Sequence, residues 1–301
     1  MFQKRIGFVI LFVCLMNPFS SLSLKGQETQ AKEKKYKFKA LQHKKGMKFV
    51  VEEKGETVQQ VSMGALKSYQ ERKEKEERKY VVEILEVEKK IPRKVHLLVD
   101  TWKKEMIISQ MKKVLVEKKR NLKVEKKKIE ILYDKEGSHP KFQYLGGGKL
   151  SREAFFVLRR KFGKSSISKE NKLFPQKPLH EGETWEIDPK VVLEALQISD
   201  SDIAKEKIKA KGKIQKFYRK KDSLFADFEI HIQVPLQKLG KLKVSKGTMD
   251  FISKGRTCWD GTSPEQSITV EMVMRAVKED RSMKAVFEMK MHETRTVKEI
   301  K

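Results

Sequence analysis

Only two cysteines occur in 301 residues, Cys14 and Cys258; loss of Cys14 with a cleaved N-terminal leader would leave Cys258 alone, so no internal disulfide is expected and stability has to come from packing. Metal-binding spacings are absent as well. His43, His96, His139, His180, His231 and His292 lie far apart, and none belongs to an H-x-x-x-H or C-x-x-C pattern. No G-x-S-x-G elbow is present, and Cys258 in Thr257-Cys258-Trp259-Asp260-Gly261 has no neighbouring histidine to activate it. Gly163-Lys164-Ser165 ends like a phosphate-binding loop, but Leu158 stands where the first glycine of that motif is required. Gly146-Gly147-Gly148-Lys149 lacks dinucleotide spacing and reads as a turn. These absences speak against an enzyme and against a bound cofactor or metal.

Acidic residues are also in deficit. Lysine and arginine number 68 against 41 aspartates and glutamates, a formal charge of +27. Such a field attracts polyanions. However, the lysines are scattered and mixed with glutamate, as on solvated faces. Few aromatics interleave with the basic runs to stack on bases, so specific nucleic-acid binding is not expected.

Long apolar runs are missing too. The longest, Ile6 to Met16, follows Lys4-Arg5 and precedes Asn17-Pro18 and Ser20-Ser21-Leu22-Ser23. A bilayer-spanning helix needs about 20 apolar residues, so this order reads as a secretory signal cleaved near Ser23, with Ser21 and Ser23 in the small-residue places. The alternative is a signal retained as an anchor. Lipidation at Cys14 is disfavoured by the bulk of Val13.

Beyond a polar lead-in, alternating residues predict strands. Tyr36, Phe38 and Ala40 alternate with lysines, and Met47–Val51 and Thr57–Val61 flank Glu53-Lys54-Gly55-Glu56, a hairpin-turn pattern. The run Glu71 to Lys79 pairs opposite charges three and four apart, predicting a solvated helix, with a charged β edge as the rival. Tyr80–Val87 and Val95–Val99 form a second hairpin, the stretch from Trp102 to Lys128 fits strand or helix, and Ile129–Tyr133 is a strand again.

Helix signals follow. Ser151 is placed to cap a helix with Ala154, Phe155, Leu158 and Phe162 on one face and Gly163 as its stop. Asp188-Pro189 opens a second, with Val191, Val192, Ala195 and Leu196 as its apolar stripe. Leu224 to Val234 then alternates as a one-sided strand, and Ser267–Ala276 forms a hairpin with the strand around Ala285–Met291. Met272, Met274, Met289 and Met291 would line one face of that hairpin with Phe287. Flexible, polarisable methionines suit either a sheet core or a pocket for varied apolar ligands.

Phe174-Pro175-Gln176-Lys177-Pro178-Leu179-His180-Glu181-Gly182-Glu183-Thr184-Trp185-Glu186-Ile187 resembles a segment of uncharacterised exported bacterial β-rich proteins, in which a proline pair and a G-D/E-x-W turn introduce the C-terminal half. Glu183 stands where aspartate is commoner. The resemblance implies no activity, and by analogy a curved antiparallel sheet that cups apolar ligands, as in periplasmic lipoprotein carriers. In physical terms Pro175 and Pro178 hold an extended approach, Gly182 turns and Trp185 anchors the return.

The expected fold class is α+β, mainly antiparallel β, with a large curved sheet or sheets and one or two short helices on the apolar face. The expected division is 1–23 signal peptide, 24–35 flexible lead-in, 36–150 N-terminal β region, 151–204 helical insert and connection, and 205–301 C-terminal antiparallel β region. The similar lengths of the two β regions invite the idea of duplication, which no residue-level repeat supports. The expected function is that of an exported, periplasmic or extracellular, non-catalytic protein with no transmembrane segment in its mature chain. Its sheet would take a hydrophobic or lipidic ligand or a protein partner. The alternative is a cationic surface for acidic envelope polymers or anionic lipid head groups.

Overall fold

The computed structural model describes residues 34–64, 68–89, 91–122, 124–133, 140–163, 171–196, 203–239, 242–279 and 284–300. The expected leader, with Ser21 and Ser23, and most of the lead-in lie outside them. So do Lys164 and Ser165, His139, and residues 134–137 that follow the Ile129–Tyr133 strand.

In chain order the elements are β1 (Lys48–Met63), β2 (Ser68–Glu88), β3 (Ile91–Gln110), β4 (Lys113–Asn121), β5 (Lys128–Leu132), β6 (Lys141–Tyr144), α1 (Arg152–Phe162), β7 (Thr184–Glu186), α2 (Pro189–Leu196), β8 (Lys209–Lys220), β9 (Ser223–Pro235), β10 (Lys238–Leu239), β11 (Leu242–Lys243), β12 (Lys246–Cys258), β13 (Gln266–Glu279) and β14 (Lys284–Glu299). Twelve strands form one sheet in the order β6-β5-β3-β2-β1-β14-β13-β12-β9-β8-β7, with β4 also on β3; β10 and β11 pair separately. Every pairing is antiparallel. The fold is therefore α+β and mainly β, and the β1–β14 ladder joins the two β regions into a single sheet.

Period-two alternation explains why these segments are strands with one buried face. In β9, Leu224, Ala226, Phe228, Ile230, Ile232 and Val234 are buried, and in β13 Ile268, Val270, Met272, Met274 and Ala276. The two-residue β3–β4 turn places Met111 and Lys112 both at positive φ (48° and 69°), the backbone twist that tight hairpins require.

The helices cover the inner face. Ser151 Oγ accepts from the Ala154 N–H at 3.2 Å, capping α1 as expected, and Ala154 and Leu158 are fully buried. They pack in one core cluster with Val51, Tyr80, Val82, Leu97 and Ile131. Asp188 Oδ1 accepts from the Lys190 N–H at 2.7 Å at the start of α2, whose Val192, Leu193, Ala195 and Leu196 belong to a second cluster with Ile214, Ile230, Ile232 and Phe251.

The segment 174–187 anchors this second cluster. Pro175 is buried and Pro178 exposed, Gly182 turns at φ +80°, and Trp185 donates its indole N–H to the Leu173 carbonyl at 2.9 Å. Residues 36–47 strap the two halves together. Tyr36 bridges Leu179, Lys39 N–H reaches the Trp259 carbonyl, Gln42 N–H the Gly261 carbonyl, and Gly46 N–H the Ile84 carbonyl on β2.

Three expectations are corrected. The charge run Glu71–Lys79 is neither a helix nor an edge but the middle of β2, paired on both sides. Its outward charges meet opposite charges across the strands, Glu77 with Lys54 and Lys79 with Glu52. Glu53-Lys54-Gly55-Glu56 is not a turn but the centre of the continuous strand β1. Gly55 is there because a Cβ would lie 2.9 Å from Glu293 Cγ, on the neighbouring strand. Tyr36–Ala40 forms the strap, with one isolated bridge, rather than a strand. The ambiguous stretch after Trp102 resolves as the end of β3 and β4.

Candidate functional site

The ladder registers place side chains in rows across the inner face. One row runs Glu76, Gly55, Glu293, Val270, Ser253, Ile230, Gly212, Trp185 over β2, β1, β14, β13, β12, β9, β8 and β7. The next runs Arg78, Glu53, Arg295, Ile268, Gly255, Phe228, Ile214. From β13 to β7 both rows are uncharged, whereas β14, β1 and β2 carry charge and the first row continues to Lys104 on β3.

Between the two core clusters a cavity of about 260 Å³ opens over these rows. Its walls are Phe49, Tyr80, Val82 and Phe162 on one side, Phe174, Phe228, Ile230 and Phe251 on the other, with Phe38, Leu41 and His43 of the strap. Glu53, Arg78, Lys161, Glu293 and Arg295 line it at the charged end. A smaller cavity, of about 20 Å³, lies beside the same charges against Gly55, Thr57, Glu74, Glu76 and Met291. Mostly apolar walls with a few convergent polar groups are the usual make-up of a small-molecule site.

Glu53 is 2% exposed and sits among three cations. Arg78 Nη1 donates to it at 3.0 Å, Lys161 Nζ from α1 at 2.5 Å, and Arg295 Nε lies 3.4 Å away. Burial by itself pushes the Glu53 carboxyl up, but Lys161, Arg78 and Arg295 together bring it down to about 2. Arg78 also holds Glu76 through two nitrogens, at 2.9 and 2.6 Å, and lies 5.2 Å from the centre of the Trp102 ring, whose own N–H donates to Glu76. Burial works against the Arg78 charge, yet Glu76 and Glu53 raise its pKa overall. Burial lowers Lys161, offset in part by Glu53.

Glu293 differs from its neighbours. It is 7% exposed, and its Oε2 is buried with no hydrogen-bond partner. Burial raises its carboxyl to about 7, with Arg78 pulling the other way. The unfolded chain ionises this carboxyl near 4.5, so its contribution to stability is full below that pH and is lost as pH rises to about 7. Glu53 acts in the opposite window, stabilising above 4.5 and losing that contribution as pH falls toward 2. Glu293→Gln is therefore expected to match the parent at pH 4.5 and to be more stable at pH 8, by on the order of 3 kcal/mol in urea denaturation. Equal midpoints at pH 8 would contradict a desolvated carboxyl.

The structure brings Met272, Met274, Met289 and Met291 together. Met272 faces Met291 and Met274 faces Met289 across β13 and β14, all buried, with Phe287 half-buried against the same cluster. None of them is in the lining of the larger cavity, and Met291 lines the smaller one. Trp185 shares a core cluster with Val192, Leu193 and Leu196 of α2, and neither it nor Gly182 lines the larger cavity. Cys258 lines the cavity, donates its thiol to Asp260 Oδ1 at 3.1 Å and is pushed up by burial. That is the setting of an unreactive thiol.

Sequence reasoning passed over Glu53, Arg78, Lys161, Glu293 and Arg295. One signal was present: Glu293 and Arg295 continue the inward parity of Met289 and Met291, and Val297 resumes it. Among the described residues no group of three or more histidine, cysteine or acidic side chains is placed to hold a metal, and no helix is long and apolar enough to cross a membrane.

No family model matches the chain, and no curated protein matches it. One solved structure, described as lipid–protein interactions in lipovitellin, is similar over 86% of this chain and 26% of its own length, at 8% identity and a TM-score of 0.38. The chain thus spans about a quarter of that protein, and a likeness at this level carries no argument.

Proposed function

We propose that this is an exported, non-catalytic binding protein that holds one slender apolar or amphipathic molecule between its sheet and helices. The cavity of about 260 Å³ carries the proposal. It falls just below the roughly 300–1,000 Å³ of sites for drug-sized ligands, so it accommodates a single narrow molecule. Aromatic walls favour an apolar body, and the buried charges offer its polar end a place. The basic, apolar, small-residue order of the first 23 residues supports export. The purified protein is expected to enhance the fluorescence of Nile red and to release a co-purifying lipid or other apolar small molecule on denaturing extraction. Neither dye enhancement nor extractable ligand would dispose of this function.

A second reading, an anionic lipid surface as partner, is favoured by the β3–β4 hairpin. At its tip Met111, Val114 and Leu115 are all more than half exposed, and Lys112, Lys113 and Lys118 stand beside them. Apolar side chains flanked by lysines suit the boundary of a negatively charged bilayer.

A further inference from the structure

We propose that the cavity selects amphiphiles with an anionic head, such as a carboxylate, seated against Lys161 and Arg295 with the Glu293 carboxyl beside it. This rests on the binding function above and adds the chemistry of the head group. The charged end carries three cations, Arg78, Lys161 and Arg295, and two carboxylates, Glu53 and Glu293. Arg78 is committed to Glu53 and Glu76. Lys161 and Arg295 converge with it on the same Glu53 carboxylate, within 2.5 and 3.4 Å. With Glu76, which Arg78 also holds, three carboxyls face these three cations, so the cluster carries a net positive charge while Glu293 is protonated, in a site where water competes weakly for charge. Glu265, also in the lining, is bonded to Lys220.

Glu293 provides the independent sign of a ligand. A buried polar atom without a partner is rare in folded proteins, and here Oε2 belongs to a residue only 7% exposed that lines the cavity. The groups around it are Glu53 on β1, Glu76 and Arg78 on β2, Arg295 on its own strand and Lys161 on α1, while β13 and β12 present the uncharged Val270 and Ser253. Protonated, Glu293 donates a hydrogen bond to an anionic head and leaves the cations in excess. Ionised, it repels that head. Gly55 keeps the space over β1 open for this side chain.

The test displaces Nile red from the purified protein with decanoate, decanol and decyltrimethylammonium, which share a ten-carbon chain. Decanoate is expected to bind at least about tenfold more tightly than decanol at pH 6, the worth of one charge-assisted hydrogen bond. Its advantage should shrink at pH 8, while decanol is unaffected. Lys161→Met should reduce the decanoate preference and spare decanol. Should that variant fail to fold, the head-group series on the parent still decides. Decanol binding as well as decanoate, or the cationic amphiphile binding best, overturns the anion preference and leaves the cavity function standing. If neither the dye nor any of the three binds, both fall.

Discussion

Arg78→Met is expected to lower the stability of the protein by about 3–5 kcal/mol, the cost of removing one partner from a buried ion pair. Arg78 is 6% exposed and is the common partner of Glu53 and Glu76. Methionine fills similar space but supplies no charge, so both carboxylates stay desolvated with fewer donors. Lys161 and Arg295 remain to hold Glu53, whereas Glu76 keeps the indole N–H of Trp102. Urea denaturation at pH 7 measures the loss. Glu53→Gln should moreover cost less in the Arg78→Met background than in the parent, because the two side chains act as one unit. A loss below 1 kcal/mol, or strict additivity, would mean that water enters the cavity freely enough to screen these charges.

The second large effect is expected at the far end of the neighbouring row, which runs through Glu76. Trp185→Ala should destabilise by about 3–5 kcal/mol, as truncation of buried aromatic side chains does. The indole lies flat over Gly212 on β8: a Cβ there would sit 2.0 Å from Trp185 Cζ2. Gly212→Ala should accordingly destabilise by about 1–3 kcal/mol or more through overpacking. In the Trp185→Ala background the same glycine change should be nearly neutral, since the atoms it would strike are gone. Independent effects at the two positions would show that the ring does not hold the position described.

Much of this fold was legible. Ser151 and Asp188 announce their helices because capping is a local affair between a side chain and backbone N–H groups two or three residues on. The strands β9, β13 and β14 announce themselves because alternation of apolar and polar residues has one geometric meaning. Trp185 is recognisable as an anchor from Gly182 and the proline pair before it.

The charged centre was hidden for an equally physical reason. Glu71 to Lys79 satisfies helical spacing and strand alternation together, and opposite charges three or four apart in sequence are also compatible with pairing across neighbouring strands. Gly55 suggests a turn until Glu293 is known to lie opposite it. Glu53, Arg78, Lys161 and Arg295 come from four separate elements, and no local pattern distinguishes a glutamate that will be desolvated from one on a wet surface.

By itself the sequence determined the antiparallel, one-sided character of the strands and the two capped helices, because each follows from residues near one another along the chain. Tertiary structure alone decided that β1 and β14 join the halves, that α1 delivers Lys161 onto Glu53, and that a cavity with a charged end remains between two cores. Burial and charge pairing depend on which strand lies alongside which, and that is a property of the assembled sheet.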